Sequence, residues 1–237
     1  MVRFELFFPQ LGRLSSPYSF PFAHPLDTQR DSFGRFWEAL LQLVSPRQRE
    51  ADVAEASGKT KKKNKKLKKL ARGCPSRNGP LVLSNNAAWL GLKRLRTPLF
   101  VRDCYKALWD KVQAHPYDVL ITGTPGTGKT GFMAYMLYRL MTMRTRAFDA
   151  VLDFDEIFCL ITSRNELRYG TRGSSFAEQL AEERNLYLFD ARRGVPGPMS
   201  VLCKTVVTSS PDPGHFKEFK KEIVLTLFMP VWTRFVT

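Results

Sequence analysis

Residues 119–130 read Val-Leu-Ile-Thr-Gly-Thr-Pro-Gly-Thr-Gly-Lys-Thr. A run of strand-forming residues passes here into a glycine-rich stretch, and residues 130–142 then continue with helical periodicity. Glycines permit backbone conformations that a side chain would obstruct. The pattern therefore predicts a strand, a tight loop and a helix in direct succession.

The loop in this stretch fits G-x-x-x-x-G-K-[ST], the phosphate-binding signature called Walker A. In such a loop, backbone N–H groups surround a phosphate at a helix N-terminus, where the helix dipole favours anions. Lys129 would neutralise the β- and γ-phosphate oxygens, and the Thr130 hydroxyl would ligate Mg²⁺. We therefore predict that a nucleoside triphosphate is bound by Gly123, Thr124, Pro125, Gly126, Thr127, Gly128, Lys129 and Thr130.

A second magnesium ligand is expected at the end of a neighbouring strand. Residues 186–190 read Leu-Tyr-Leu-Phe-Asp, which makes Asp190 the preferred candidate. Asp155 is the alternative. It ends a strand that follows soon after the helix next to the loop, and a strand at that spacing is usually not the one that holds the metal. Ala191 follows Asp190, where many ATPases place a glutamate that activates water, so binding is better supported than hydrolysis.

Residues 205–209 predict a buried strand that ends in hydroxyl groups. Ser209 is a candidate sensor of the terminal phosphate, and an ordinary Ser-Ser-Pro turn explains the pattern equally well. Lys129, Asp190 and Ser209 are thus the candidate catalytic residues. No Asn-Lys-x-Asp element for guanine recognition follows the loop, which favours ATP with Mg²⁺ as the ligand.

Beyond residue 80, strand-like runs alternate with helical patterns, which predicts a three-layer α/β domain over residues 81–237 with a parallel sheet between helices. Ser175 with Glu178 predicts a capping box, and Asp212 before Pro213 predicts a second helix start. The predicted strands are 119–122, 150–154, 186–190, 205–209 and 223–229. The predicted helices are 101–113, 130–142, 176–184 and 214–222.

Residues 1–45 predict a poorly ordered region with one amphipathic helix over 32–44, stopped by Pro46. We expect this helix to pack on the main domain, with a partner-binding helix as the alternative. Residues 46–80 are polar and lysine-rich, which predicts a linker. Glu5 interrupts the first apolar run before it reaches the length of a signal peptide. No apolar run approaches the roughly 20 residues of a membrane span.

The formal net charge of +15 is concentrated in one segment. The stretch that begins at Lys59 and ends at Arg72 contains eight lysines, one arginine and no acidic residue. Such a segment suits recognition by the nuclear import machinery or nonspecific contact with nucleic acid, and a solvated linker is the third interpretation. We therefore expect a nuclear protein, with the cytoplasm as the alternative.

The order of these motifs resembles the P-loop NTPase module shared by crinkler-type effectors of water moulds and retrotransposon hot spot proteins. The resemblance covers roughly residues 101–232. It is carried by residues 101–105, the loop at 123–130, the strand end at 188–190, residues 208–211 with 216–219, and residues 228–232. It implies an ATPase module related to the AAA and STAND groups, in proteins that often act inside host nuclei and often carry a nuclease-like C-terminal domain.

Two departures from this family shape the expected function. The Leu-Phe-Leu-Ala-Lys-type leader of crinklers is absent, and the sequence stops soon after Trp232, so we expect a truncated member without the helical lid or C-terminal domain. An ATPase is therefore weighed against a nuclear interaction protein that binds ATP without turnover. A small-molecule phosphotransferase ranks last, because it needs a lid that this sequence does not provide.

Overall fold

The computed structural model describes residues 25–56, 80–143, 146–191, 196–212 and 224–232, together with 214, 216, 217 and 219. Within the first helix, side chains are described from residue 28 to residue 45. The basic stretch from Lys59 to Arg72 and most of the predicted helix 214–222 lie outside the described residues. No helix in the described ranges is long and apolar enough to cross a membrane.

A seven-stranded sheet forms the centre of the molecule, in the order β4-β3-β2-β5-β6-β1-β7. The strands β2, β5, β6, β1 and β7 are parallel, and β3 and β4 add an antiparallel edge. The predicted α/β class with a largely parallel sheet is confirmed. The strands are β1 Asp118–Thr122, β2 Ala150–Phe154, β3 Ile157–Ile161, β4 Leu167–Tyr169, β5 Leu186–Ala191, β6 Lys204–Ser209 and β7 Val224–Phe228.

Helices cover both faces of this sheet. Because side chains alternate along a strand, Val119 and Ile121 of β1 join one hydrophobic cluster, whereas Leu120 joins another. The first cluster includes the apolar faces of α1, α2 and α3, and the second includes Leu180 of α4. The helices are α1 Pro25–Ala56, α2 Asp103–Ala114, α3 Lys129–Thr142 and α4 Ala177–Ala181.

The β3–β4 hairpin was not predicted. All five residues of β3 are buried, so the strand lacks the alternation of polar and apolar residues that identifies a half-exposed strand. The turn before it, Asp155-Glu156, also lacks the Asn-Gly or Asp-Gly signal of a two-residue hairpin, and Asp155 itself adopts the left-handed conformation with φ 57°.

The end of α1 was predicted wrongly, because the helix continues through Pro46 to Ala56. Proline removes one backbone hydrogen bond and crowds the preceding turn, but its own φ is compatible with a helix. It therefore predicts a weak point more reliably than an end. The linker predicted to start at residue 46 begins inside this helix.

The apolar face of α1 packs into the main core, as expected. Phe33 and Phe36 are fully buried, and the Phe36 ring centroid lies 5.3 Å from that of Phe33 and 6.0 Å from that of Trp89. At its N-terminal side, the Arg30 carbonyl accepts a hydrogen bond of 3.1 Å from the Tyr169 hydroxyl of β4. The helix is therefore built into the sheet domain.

The capping box predicted at Ser175 is absent. Phe176, in the left-handed conformation with φ 65°, precedes α4, and no side chain caps the helix. The Ser175 hydroxyl instead accepts a hydrogen bond of 3.0 Å from the Thr171 N–H, because residues 171–175 form a turn of their own. Asp212 does accept the Gly214 N–H at 2.9 Å, as an N-cap would.

Replacing Phe36 with alanine should lower the free energy of unfolding by about 3 to 5 kcal/mol, because it removes a fully buried ring from the core. Urea denaturation measures this change. Arg35→Ala, at the exposed neighbouring position, is the matched control and should have little effect. Equal unfolding midpoints for Phe36→Ala and the wild-type protein would show that α1 is not part of the core.

Candidate functional site

The glycine-rich loop lies between the end of β1 and the start of α3. In the sheet, β1 is flanked by β6 and β7, both parallel to it. The loop therefore emerges at the carboxyl edge of the parallel strands, where open α/β sheets bind their ligands. Since α3 begins at Lys129, the unpaired N–H groups of its first turn adjoin the loop.

Two of the loop glycines are required for different reasons. Gly126 and Gly128 both adopt left-handed conformations, with φ of 81° and 95°. A Cβ atom on Gly128 would lie 2.5 Å from the Tyr105 hydroxyl oxygen, whereas one on Gly126 would meet nothing within 4 Å. Gly126 is therefore needed for its conformation alone, and Gly128 for its conformation and for space.

Lys129 folds back over the start of the loop. Its Nζ donates hydrogen bonds to the carbonyl oxygens of Gly123, at 2.5 Å, and Thr124, at 3.0 Å. Burial lowers the pKa of Lys129, and the negative charge of Asp190 acts in the opposite direction. The structure thus brings Lys129 and Asp190 within electrostatic reach of each other at the loop.

Asp190 lies on β5, two strands away from β1, which leads into the loop; two strand spacings are about 10 Å. It pairs with Thr208 of β6, and Thr208 pairs in turn with Ile121 of β1. The Thr208 hydroxyl donates a hydrogen bond of 2.5 Å to Asp190 Oδ1, which orients the carboxylate. Thr208 had no predicted role, although the alternation of side chains in residues 205–209 places it on the same face as Asp190.

Ser209 lies next to the loop in the sheet but on the other face. It pairs with Thr122 of β1 and Ala191 of β5, so alternation separates its side chain from Asp190 and Thr208. The Ser209 side chain is buried, and its hydroxyl donates to the Ser210 carbonyl at 2.9 Å. The structure therefore groups Lys129 with Asp190 and does not bring Ser209 to the same face.

Asp155, the alternative magnesium ligand, lies in the turn between β2 and β3. Its carboxylate accepts a hydrogen bond from the Gln29 side chain of α1. Strands β5 and β6 separate β2 from β1, so this turn is farther from the loop than the end of β5. The arrangement favours Asp190 over Asp155 as a partner of the loop.

Three side chains that had no predicted role hold carbonyl groups of the loop. Tyr105 donates its hydroxyl to the Gly128 carbonyl at 2.7 Å, and burial raises the pKa of Tyr105 to about 12, so the hydroxyl keeps its proton. Arg102 and Trp232 donate to the carbonyls of Thr127 and Gly126. No local sequence pattern identifies these residues, although they fall in residues 101–105 and 228–232, two of the stretches that carry the family resemblance.

A cleft of about 490 Å³ opens beside the loop. One wall is the loop and the first turn of α3, including Lys129 and Thr130. The cleft is also lined by exposed aromatic rings, since Phe100 is 61% and Trp232 is 55% exposed. Its main side chains are Arg94, Leu95, Pro98, Leu99, Phe100 and Trp232. The cleft offers both polar backbone and apolar surface at the same position.

The donor set at the loop suits magnesium. Within the described ranges, no group of three or more histidine, cysteine, aspartate or glutamate side chains could hold a metal ion. Mg²⁺ at phosphate sites, however, takes only one or two protein carboxylates and completes its shell with phosphate and water oxygens. Thr130 at the start of α3 and the oriented carboxylate of Asp190 match that requirement.

The basic stretch from Lys59 to Arg72, predicted to contact the nuclear import machinery or nucleic acid, lies outside the described part of the chain. Comparison with protein-family models found no match to the chain, and neither the curated proteins nor the solved structures gave one. The resemblance to crinkler-type and retrotransposon hot spot proteins therefore stays a prediction.

Gly128→Ala should destabilise the protein more than Gly126→Ala. Both changes place a Cβ on a left-handed residue, which costs about 1 to 2 kcal/mol, but only the first drives it against the Tyr105 hydroxyl. Urea denaturation measures both variants, and Gly126→Ala is the matched control for backbone strain.

The same comparison in a Tyr105→Phe background tests the cause. Without the hydroxyl, the nearest ring carbon would lie 3.6 Å from the new Cβ, an ordinary contact. The excess cost of Gly128→Ala should then disappear. An unchanged excess in this background would rule out the steric explanation.

Proposed function

We propose that this chain binds a nucleoside triphosphate, ATP by preference, with Mg²⁺ at the loop formed by residues 123–130. One observation carries the proposal. The loop joins a parallel strand to a helix, has left-handed glycines at positions 126 and 128, and has the Lys129 ammonium group directed over its first residues. These are the features by which a backbone loop recognises a phosphate chain.

The proposed binding mode uses groups that are already oriented. The Lys129 ammonium donates to two carbonyl oxygens. Phosphate oxygens would take the place of these carbonyls and accept stronger, charge-assisted hydrogen bonds. The N–H groups at the start of α3, aligned with the helix dipole, would supply further donors. Phosphate recognition would thus need little rearrangement of the protein backbone.

Thr130 and Asp190 would hold the magnesium ion. When bound, Mg²⁺ would neutralise part of the phosphate charge. The Thr208 hydroxyl would keep the Asp190 carboxylate in one orientation, because it donates to Oδ1. The nucleoside would extend into the cleft, where the exposed ring of Phe100 suits a planar base.

Binding is the primary activity in this proposal, and hydrolysis to ADP and phosphate is secondary. Ala191 follows Asp190 and has no group that could orient or deprotonate an attacking water molecule. Ser209, the predicted sensor, faces away from Asp190. These observations favour slow turnover, and they also support the second candidate, an interaction protein that holds ATP without hydrolysing it.

Lys129→Ala should weaken binding of Mg-ATP about 100-fold or more, because it removes hydrogen bonds to charged phosphate oxygens that contribute roughly 1.5 to 3 kcal/mol each. Titration with a fluorescent ATP analogue measures the change. Lys111→Ala, an exposed lysine on α2, is the matched control and should bind as the wild type does. Wild-type affinity in Lys129→Ala would refute the proposed site.

Asp190→Asn should weaken Mg-ATP binding about tenfold without weakening the binding of metal-free ATP, since it removes one negative charge and preserves the side-chain volume. The titration is run with Mg²⁺ and with a chelator. Asp155→Asn is the matched control, and a larger effect from that variant would reassign the metal ligand. Phosphate release by the wild type above the Asp190→Asn level would identify an ATPase, and none would identify a binding protein.

A further inference from the structure

Arg102 joins the phosphate loop to the segment that follows β7. One end of its guanidinium group donates to the Thr127 carbonyl of the loop. The other donates to the carbonyls of Pro230, at 2.9 Å, and Val231, at 3.0 Å. A single planar side chain thus connects two parts of the chain that are more than 100 residues apart in sequence.

Trp232 closes a second link between the same two parts. Its indole Nε1–H donates to the Gly126 carbonyl at 3.1 Å. Its ring also stacks on Arg102, with the guanidinium carbon 4.3 Å from the ring centroid, a cation–π contact. Arg102 and Trp232 therefore stabilise each other while each holds a different loop carbonyl.

The same segment is attached at the beginning of the loop. The Met229 N–H donates to the Thr122 carbonyl at 2.7 Å, and a Cβ on Gly123 would lie 2.9 Å from the Met229 carbonyl oxygen. Residues 229–232 thus follow the loop from Gly123 to Gly126. This contact explains why position 123 has no room for a side chain.

These contacts determine where the loop N–H groups point. Within a trans peptide unit, the carbonyl and the following N–H point in opposite directions. Arg102 holds the Thr127 carbonyl, and Tyr105 holds the Gly128 carbonyl. The N–H groups of Gly128 and Lys129 therefore point away from these two side chains. Those N–H groups are the donors that a phosphate would use.

We propose that Arg102 and Trp232 are positioning residues that clamp the loop in its phosphate-binding conformation and couple nucleotide affinity to residues 229–232. This inference rests on the proposed function. The clamp acts on the loop backbone, so it affects any ligand that carries the phosphate chain. Arg102 serves by geometry as well as charge, since its fork contacts three carbonyl oxygens, which a lysine ammonium on a flexible stem does not reproduce.

Two conservative variants test the clamp. Arg102→Lys keeps the charge and loses the fork, and Trp232→Phe keeps an aromatic ring over Arg102 and loses the indole N–H. Each should weaken binding of Mg-ATP about fivefold to tenfold. The double variant should lose less than the product of the two single effects, because the residues act as one unit. Val231→Ala is the matched control, since that side chain is exposed and only its carbonyl takes part.

Inorganic tripolyphosphate separates positioning from contact with the base. It is titrated in competition with the fluorescent ATP analogue on the same variants. A clamp on the loop predicts equal losses for tripolyphosphate and ATP. A loss confined to ATP would overturn the inference, because it would mean that Trp232 acts by stacking on the base.

Trp232 emission gives a direct readout. The other tryptophans, Trp37, Trp89 and Trp109, are buried, so acrylamide should quench Trp232 selectively. Saturation with Mg²⁺ and tripolyphosphate, which has no base to cover the ring, should change this quenching in the wild type but not in Lys129→Ala. No change in the wild type at saturation would contradict the coupling.

The clamp and the proposed function fail in different ways. Wild-type affinity in both Arg102→Lys and Trp232→Phe would overturn the clamp and leave ATP binding intact. No binding by the wild-type protein would overturn both. Circular dichroism and urea denaturation identify a misfolded variant, and if Arg102→Lys does not fold, Trp232→Phe decides the question alone.

Discussion

The left-handed conformation of Gly128 is the constraint on which the site depends. At this residue the chain turns from the loop into α3. The Tyr105 hydroxyl of α2 occupies the space that a side chain at position 128 would need. If the hydroxyl moved away, its hydrogen bond to the Gly128 carbonyl would be lost. The start of α3, the position of α2 and the direction of the loop are thereby fixed together. A change at any one of them alters the other two.

Charge is distributed around the loop in a matching way. Lys129 donates to a carbonyl at the start of the loop, and Arg102 donates to the Thr127 carbonyl near its end. The Asp190 carboxylate lies two strands away from β1. Both cations donate to backbone carbonyls, and among the described residues neither forms an ion pair with a carboxylate. An anion bound at the loop would be attracted by both charges, which is the electrostatic basis of the proposed ligand.

Much of this architecture follows from local sequence. The five parallel strands were predicted within one residue at each end, because buried apolar runs bounded by glycine, proline or charged residues leave few alternatives. Strand β3 was missed because Asp155-Glu156, the turn between β2 and β3, gives no turn signal. The end of α1 was misplaced because the φ of a proline is compatible with a helix, so Pro46 marks a weak point and not an end. At the site, Lys129 and Asp190 could be inferred from motif and strand end, whereas Arg102 and Trp232 act through contacts more than 100 residues apart, which local patterns do not encode.

The packing of α1 changes how the basic segment relates to the rest of the molecule. Since Phe33 and Phe36 before it and Leu81 and Trp89 after it belong to one hydrophobic cluster, the lysine-rich stretch connects two parts of the sequence that form a single core. A protease that cut the chain once between residues 57 and 79 would produce two fragments without a covalent link. Those fragments would stay associated, because their shared buried surface, and not the polypeptide connection, joins them.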